Sequence, residues 1–378
     1  MNGVDRLAAL DGLRGIASLV VVVFHFLSAF VVNIVPDQSD VVPFWVDTPV
    51  GILFNGPFAV SVFFVLSGFV LAHTPMARCS GKWLISSILF RYVRLAVPVT
   101  ASTVLAWCLL AVDGAAAREL AALSPSRWLQ WTYQDPIPGF KFALWSGLIE
   151  VFWSGSSQFN NVLWTIQAEF IGSVGIYLFF YLVSRMRLVV GCVITLALFV
   201  LQAPAAYIGF AVGALLSLYH SRGRRLDGWI AWVALVIGVV LGSWARGFAH
   251  RHGVGESLDW RWMPGSSAGV LYPIGATLLL AAILNLQVLT DFFGGTFLNR
   301  LGAISFPLYL VHVPLIYTLV ARAAVVRGDL FGWDIFGLFV FYGFVSLLSA
   351  KVMQTFFDAP LISIIRDMKS RLRANQSF

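Results

Sequence analysis

The stretch LRGIASLVVVVFHFLSAFVVN, residues 13–33, decides the fold class of this chain. About 20 apolar residues in a helix are enough to cross the hydrocarbon core of a bilayer. Arg14 and His25 are the only ionisable side chains in the run. The run is also long for the apolar part of a cleavable signal, and no small-residue cleavage site ends it. We therefore predict that the chain crosses the membrane near its N-terminus.

The composition extends this prediction to the whole chain. Hydrophobic residues make up 59% of its 378 residues and charged residues only 11%, and the mean hydropathy is +0.84. Soluble domains carry charges on about a quarter of their residues. Because too few charges remain to cover a water-facing surface, lipid must contact much of it. We predict an all-α polytopic membrane protein of the inner or plasma membrane, with no soluble domain.

The predicted spans are about ten apolar runs of helix length. They lie near residues 13–33, 56–74, 95–112, 162–183, 188–203, 205–219, 229–245, 267–287, 302–321 and 334–356. Lys and Arg are about twice as frequent in the loops on the side of the N-terminus as in the alternate loops. Such an excess marks cytoplasmic loops, so both termini are expected in the cytoplasm.

The positions of the charges and cysteines exclude several partners. The net charge of +7 does not indicate nucleic acid, because the basic residues lie between apolar runs. Cys79, Cys108 and Cys192 have no paired spacing, so neither disulfides nor a thiolate metal site is expected. Residues 361–373 alternate apolar and basic side chains, which predicts that residues 361–378 form a cytoplasmic amphipathic tail on membrane lipids.

Residues 113–161 form a long segment on the predicted outer side, and it is rich in aromatic side chains. They are Trp128, Trp131, Tyr133, Phe140, Trp145, Phe152 and Trp153. Such residues commonly anchor a protein at the level of the lipid headgroups. The alternative is a platform for a polar acceptor that arrives from outside.

Arg14 and His25 are candidates for chemistry, because ionisable groups within apolar spans are costly and mark functional sites. Eleven residues at about 100° each complete about three turns, so both side chains share one helix face. A guanidinium can bind phosphate through paired hydrogen bonds, and an imidazole can carry a proton near neutral pH. The structural alternatives are topology anchoring by Arg14 and ordinary packing of His25.

Three further ionisable side chains lie in apolar segments. Arg91 and Arg94 are three residues apart and share a helix face at the entry to the third span. Topology signalling and lipid-phosphate contact are their structural alternatives. Glu169 lies about two turns inside the fourth span, where a carboxylate can orient an imidazole, accept a proton or hold a hydroxyl. For Glu169 the alternative is an ion pair between helices.

The ninth span carries a polar stripe. Ser305, Tyr309 and His312 lie at positions i, i+4 and i+7, and therefore on one face of an otherwise apolar helix. The stripe indicates either a site or a hydrogen-bonded seam between helices.

In chain order, these segments resemble the acyltransferase-3 family of integral-membrane O-acyltransferases. LDGLRGIASLVVVVFHF is similar to the family's first helix, where an arginine, ten residues and a histidine follow one another, as Arg14 and His25 do. NGPFAVSVFFVLSGFVL is similar to the second helix, RYVRLAVP to an Arg-x-x-Arg element, LWTIQAEF to Trp-Ser/Thr-Leu-x-x-Glu and LGAISFPLYLVHVPLI to a late Ser-x-x-Leu-Tyr-x-x-His helix. The similarity runs from about residue 10 to about residue 360, which places the family's membrane domain at residues 1–360.

The resemblance implies transfer of an acyl group, expected to be acetyl, from acyl-coenzyme A to a hydroxyl of a cell-surface glycan, a lipid-linked glycan or a related polar acceptor. The implied site residues are His25 and Glu169 for catalysis, Arg14, Arg91 and Arg94 for the donor phosphates, and Trp164, Ser305, Tyr309 and His312 in support. Acetyl-CoA or another acyl-CoA is then a substrate, and no bound cofactor or metal is expected. Direct transfer and a covalent acyl-His25 intermediate both remain open.

Two departures from the family pattern and two other functional classes stand beside this interpretation. Phe170 replaces a second glutamate of many members, and Asp358-Ala359-Pro360 replaces a more usual Glu-x-Pro. A transporter or flippase of a polar or lipid-linked molecule also keeps polar groups in mid-membrane, but often has paired interrupted helices. Haem ligation by His25 and His312 is the second alternative, although electron-carrying bundles usually need more such mid-membrane ligands and this chain has only six histidines.

Overall fold

The chain is helical throughout the part that the structure describes. The computed structural model describes residues 3–35, 42–73, 80–130, 137–155, 157–182, 188–201, 204–244, 268–328 and 332–374, and no strand occurs among them. Two compact units are present: unit 1 comprises Met1–Leu84 with Ile171–Ala303, and unit 2 comprises Ile85–Phe170 with Ile304–Phe378. The predicted all-α fold is confirmed for the described residues.

The helices are numbered in chain order. They are α1 Gly3–Phe30, α2 Gly56–Ala72, α3 Gly81–Val112, α4 Ala116–Leu123, α5 Arg127–Gln130, α6 Phe140–Trp145, α7 Val151–Ser154, α8 Trp164–Leu182, α9 Leu188–Val200, α10 Ala205–Ser221, α11 Gly228–Ser243, α12 Ala268–Asn285, α13 Gln287–Phe293, α14 Thr296–Leu315, α15 Ala321–Arg327, α16 Gly332–Met353 and α17 Ala359–Ala374. Turns of π-helix join α6 to α7, α14 to α15 and α16 to α17, at Ser146–Glu150, Ile316–Val320 and Gln354–Asp358. Short 3-10 turns cover Val32–Ile34, Phe44–Asp47, Pro49–Phe54 and Asn161–Leu163.

Among the described residues, each of the ten predicted spans overlaps a helix. Within the described residues, five helices are long and apolar enough to cross a bilayer, namely Ala8–Phe30, Gly81–Val112, Asn161–Tyr181, Thr296–Arg327 and Gly332–Leu372. A sixth span forms if α12 and α13 count as one, despite the 99° bend between them. The other predicted spans are shorter apolar helices, namely Gly56–Ala72, Val189–Leu198, Ala205–Ser221 and Gly228–Ser243.

Large apolar side chains cover the exposed faces of several helices. Phe336, Val340 and Phe344 of α16 lie at i, i+4 and i+8 and are 58%, 54% and 64% exposed. Val193 and Leu196 of α9 are as exposed as these. Contiguous apolar surface of this kind is unfavourable in water and favourable in lipid. Together with the apolar helices, it identifies an integral membrane protein.

In unit 1, α2 and α10 pack with their backbones in close contact. A Cβ atom on Gly213 would lie 2.1 Å from the carbonyl oxygen of Val65, and one on Gly68 would lie 2.2 Å from the carbonyl oxygen of Phe210. Small residues permit this close approach. Helices in a membrane depend on such packing to associate, because lipid removes the hydrophobic driving force between them. Because α1 and α12 also contact α2, the position of α2 determines the packing of three neighbouring helices.

Asn55 joins three elements of unit 1 through one side chain. Its Oδ1 accepts a hydrogen bond from the backbone N–H of Phe58 at 3.0 Å and so caps α2. Its Nδ2 donates to the carbonyl oxygen of Gly242 at 2.8 Å and to the hydroxyl of Tyr272 at 2.9 Å. The start of α2 is thereby bonded to the end of α11 and to α12.

In unit 2, Arg322 of α15 bonds to two carboxylates. Its Nε and Nη2 donate to the two oxygens of Asp113 at 2.5 and 2.8 Å, and its Nη1 donates to Glu119 of α4 at 2.6 Å. The start of the aromatic segment at residues 113–161 is therefore joined to α15 by ion pairs.

An aromatic contact joins the same segment to the turn before α15. The ring of Trp128 stacks on Tyr317, with ring centroids 4.7 Å apart.

Trp153 is 86% exposed, which is the exposure expected of an interfacial anchor. Trp131 and Tyr133, which belong to the predicted aromatic set, lie outside the described residues.

We expect Gly213→Ala to lower the free energy of unfolding by about 1–3 kcal/mol, because the added methyl group would overlap a backbone carbonyl that cannot move alone. Gly337→Ala in α16 is the matched control, since a Cβ atom there meets nothing within 4 Å. Thermal unfolding of the purified protein in detergent measures both. Equal stability of the two variants would contradict the close packing of α2 on α10.

We expect Asp113 to make stability depend on pH. Hydrogen bonds from Arg322 hold the pKa of Asp113 below its ordinary value. A carboxylate with a lowered folded-state pKa stabilises the fold above an ordinary value of about 4, and this contribution disappears as the pH falls through the folded-state value. The pair is partly exposed, so the contribution is at most about 1 kcal/mol. The free energy of unfolding should therefore fall less in Asp113→Asn than in the wild type between about pH 6 and about pH 3. Identical pH profiles would contradict the prediction.

Candidate functional site

Glycines on both sides of Arg14 determine how α1 packs in unit 1. A Cβ atom on Gly12 would lie 1.9 Å from the carbonyl oxygen of Phe293, and one on Gly15 would lie 2.8 Å from the backbone nitrogen of Gly302. A larger residue at either position would displace backbone. The backbone of α1 around Arg14 is therefore packed against the end of α13 and the first half of α14.

The guanidinium of Arg14 bonds to a carboxylate on the same helix. Its Nη1 donates to Asp11 Oδ1 at 3.0 Å, and the Arg14 and Asp11 side chains are 30% and 52% exposed. Ion pairs with this exposure contribute about 0–1 kcal/mol. A ligand with greater negative charge, such as a phosphate, can therefore compete with Asp11 for Arg14.

A backbone hydrogen bond selects the tautomer of His25. Its Nδ1 lies 2.9 Å from the carbonyl oxygen of Val21, one helical turn earlier. A carbonyl oxygen only accepts hydrogen bonds, so Nδ1 carries the proton of the neutral ring and the lone pair lies on Nε2. The ring of Phe24 contacts the imidazole edge-on, with ring centroids 5.2 Å apart. The half-buried imidazole thus has the tautomer in which Nε2 accepts a proton.

In unit 2, Arg91 of α3 pairs with Glu169 of α8. The Nη2 of Arg91 donates to Oε1 of Glu169, and the two side chains are only 19% and 16% exposed. This is the ion pair between helices that was the structural alternative for Glu169. The carboxylate of Glu169 is therefore hydrogen-bonded to Arg91, and this ion pair joins α8 to α3.

Arg94 pairs with a carboxylate that sequence reasoning did not select. Its Nη1 and Nη2 donate to the two oxygens of Asp358, the second at 3.3 Å. Asp358 is 3% exposed and ends the π turn between α16 and α17. The guanidinium carbon of Arg94 also lies 5.4 Å from the ring centroid of Phe306. The only sequence signal was that Asp358 occupies the glutamate position of the family's Glu-x-Pro.

The polar stripe of α14 is buried. Ser305, Tyr309 and His312 are 1%, 7% and 0% exposed. The hydroxyl of Tyr309 lies 2.8 Å from that of Thr165 and donates to the carbonyl oxygen of Val162 at 2.9 Å. The Nδ1 of His312 lies 2.7 Å from the carbonyl oxygen of Tyr309. The stripe therefore includes a hydrogen-bonded seam with the start of α8, as its structural alternative predicted.

Pro314 explains a second polar cluster on α14. Proline has no N–H, so the carbonyl oxygen of Leu310, four residues earlier, loses its helical partner. That oxygen instead accepts hydrogen bonds from Ser102 Oγ at 2.7 Å and from Asn160 Nδ2 at 2.8 Å. An unsatisfied backbone group in hydrocarbon costs several kcal/mol. Sequence reasoning missed Ser102 and Asn160, since the proline indicates the lone carbonyl but not its partners.

Within unit 2, the structure brings some of the predicted residues together. Arg91 contacts Glu169, and the rings of Tyr309 and His312 lie with centroids 5.6 Å apart. Trp164 is 51% exposed at the first turn of α8. The two predicted residues of α1 belong to unit 1, and the other seven belong to unit 2. No group of three or more His, Cys, Asp or Glu side chains among the described residues has the geometry of a metal site.

The chain matches one family along most of its length. The profile of that family, described as an acyltransferase domain, covers residues 7–353. Neither a curated protein nor a solved structure matches the chain.

We expect the effect of Ser102→Ala to depend on Pro314. In the wild type this substitution removes one of two donors from the Leu310 carbonyl, which keeps its bond from Asn160, and should cost about 0.5–1.5 kcal/mol of unfolding free energy. In a Pro314→Ala background the helix itself provides a donor, so the same substitution should cost less. Thermal unfolding of the four proteins in detergent measures the difference. Equal costs in the two backgrounds would contradict this account of the cluster.

Proposed function

Because this chain belongs to the acyltransferase-3 family, we propose that it transfers an acetyl group from acetyl-coenzyme A to a hydroxyl of a cell-surface glycan, a lipid-linked glycan or a related polar acceptor. The family and the apolar helices identify a membrane acyltransferase.

The hydrogen bond between His25 and Val21 is the observation that supports His25 as the general base. The acceptor hydroxyl gives its proton to Nε2 while its oxygen attacks the thioester carbonyl carbon. A C–O bond forms, the C–S bond breaks, and the leaving thiolate takes the proton back from Nε2. Nδ1 keeps its proton throughout, so the bond to Val21 at 2.9 Å can hold the ring in every step.

We assign the donor phosphates to Arg14, Arg91 and Arg94, because guanidinium groups bind phosphate through charge-assisted hydrogen bonds. The pair with Arg91 favours a positioning role for Glu169, which then acts on the donor through Arg91. Tyr309 supports the site by its bonds to the start of α8.

The remaining supporting residues are assigned more simply. Ser305 and His312 are buried on α14, and the ring of His312 lies beside that of Tyr309, so we assign both residues to the packing of that helix. Trp164 is half-exposed at the start of α8, which suits an aromatic anchor at the lipid headgroups.

We propose that all ten predicted spans cross the plasma or inner membrane, with both termini in the cytoplasm. The helices α10 and α11 have 17 and 16 residues, which at about 1.5 Å per residue is about 25 Å. This is a few ångströms less than the hydrocarbon core, and local thinning of the bilayer can accommodate the difference. The excess of Lys and Arg on the side of the termini supports this orientation.

We propose anionic lipid headgroups as the partner of α17, within the predicted tail at residues 361–378, of which 375–378 lie outside the described residues. Ile364, Met368 and Leu372 form an exposed apolar stripe on α17, 56%, 50% and 45% exposed. Arg366 and Lys369 lie on the same helix. Apolar and basic residues combined in this way suit a helix at the surface of a membrane.

The test of the proposed activity is transfer of label from acetyl-coenzyme A by the purified chain in nanodiscs, with an envelope glycan extract as the acceptor. We expect His25→Ala to lower the rate by about 10²–10⁴-fold, as general-base catalysis contributes. His73→Ala, an exposed histidine at the end of α2, is the matched control and should keep the wild-type rate. Mass spectrometry of the labelled product identifies the acceptor.

Two outcomes would contradict different parts of this proposal. A correctly inserted His25→Ala protein with the wild-type rate would exclude His25 as the base. A wild-type protein that moves no label to the extract or to water would exclude acetyl-coenzyme A as the donor.

A further inference from the structure

Two side chains from different helices contact Arg94. The carboxylate of Asp358 accepts hydrogen bonds from Nη1 and Nη2 of the guanidinium. The ring of Phe306, on α14, lies beside the same group, with 5.4 Å between Cζ and the ring centroid. Asp358 comes from the π turn between α16 and α17. The conformation of Arg94 on α3 is therefore determined by two other elements of unit 2.

The ion pair sets the direction of the guanidinium, because each outer nitrogen donates to the same carboxylate. The ring of Phe306 covers one side of the group through a cation–π contact. Asp358 occupies two of the five N–H donors of an arginine. The side chains of Arg94 and Asp358 are 25% and 4% exposed. The accessible part of this ion pair is thus the cation.

We propose that Asp358 and Phe306 are positioning residues, which orient Arg94 so that its other N–H groups bind a phosphate of the acyl-coenzyme A donor; this rests on the proposed function. Neither residue contacts the donor, and both act through Arg94. A guanidinium that is already oriented loses less conformational entropy on binding. The same contact with phosphate therefore gives a tighter complex.

The π turn is the feature that directs Asp358 toward Arg94. Such a turn contains one residue more than the regular helix, and one residue changes the side-chain direction by about 100°.

A second ion pair, between Arg327 and Asp334 at the start of α16, provides a comparison. There the arginine is 67% exposed and the carboxylate 25% exposed. This pair also joins an arginine to an aspartate, but it lies at the surface and its arginine is mostly exposed.

The test is equilibrium binding of coenzyme A to the full chain in nanodiscs, measured by calorimetry. Asp358→Asn should weaken binding about tenfold, because the guanidinium loses its charged partner. Adding Asp358→Asn to Arg94→Ala should cause no further loss, since the two residues act as one unit. Phe306→Leu should weaken binding by a smaller factor. Asp334→Asn is the matched control and should bind as the wild type does.

An exchange variant tests whether the ion pair between Arg94 and Asp358 positions the guanidinium or only attaches the helices to each other. Removal of one partner of a buried pair can unfold the protein, whereas Arg94→Asp with Asp358→Arg keeps an ion pair between the same elements. If the pair only holds the helices together, the exchange variant binds coenzyme A with wild-type affinity. In our proposal it folds but binds weakly, because the guanidinium then extends from the π turn instead of α3.

The outcomes distinguish this proposal from the proposed function. Unchanged or tighter binding by folded Asp358→Asn overturns the positioning role and leaves the donor in place, and so does wild-type affinity of the exchange variant. A folded wild-type protein that does not bind coenzyme A overturns both. Loss of binding in Asp358→Asn and in the exchange variant, with the Asp334→Asn control intact, supports the assignment.

Discussion

A charged side chain within an apolar helix needs an opposite charge, and α3 meets this requirement twice. Arg91 pairs with Glu169, and Arg94 pairs with Asp358. Removing one partner of a buried ion pair costs about 3–5 kcal/mol, because the other charge remains uncompensated. The two pairs therefore attach α3 to α8 and to the turn before α17. In unit 2, the groups best suited to bind an anionic substrate are also groups on which packing depends.

The same requirement applies to uncharged polar atoms. The carbonyl oxygen of Leu310, which Pro314 leaves without a helical donor, accepts hydrogen bonds from Ser102 and Asn160. In unit 1, the side-chain amide of Asn55 joins α2 to α11 and α12 in a comparable way. Burial of a polar group is therefore weak grounds for a catalytic role in this protein. The tautomer of His25, in which Nδ1 donates to Val21 and the lone pair lies on Nε2, is a stronger indication of such a role.

The helices could be predicted from the sequence because each apolar run is a local pattern, and every one of the ten runs overlaps a helix in the part of the chain that the structure describes. Whether a run spans the membrane was less predictable, since α10 and α11 are short and a 99° bend separates α12 from α13. The bond from His25 to Val21 is also local, because the donor and the carbonyl are four residues apart on one helix. The partners of Arg91 and Arg94 are 78 and 264 residues away along the chain. No local pattern predicts contacts between residues so far apart in the sequence. These ion pairs can therefore be identified only from the packed structure.

The π turn at Gln354–Asp358 also affects how this chain can change in length. Beyond the turn, α17 buries Leu361 and Ile365 and exposes Ile364 and Met368. A π turn holds one residue more than a turn of α-helix, so loss of one residue from it can restore the regular helix and leave the phase of α17 unchanged. Loss of one residue from α17 itself would instead rotate the following side chains by about 100°. A deletion of one codon should therefore be better tolerated in this turn than in the helix beyond it.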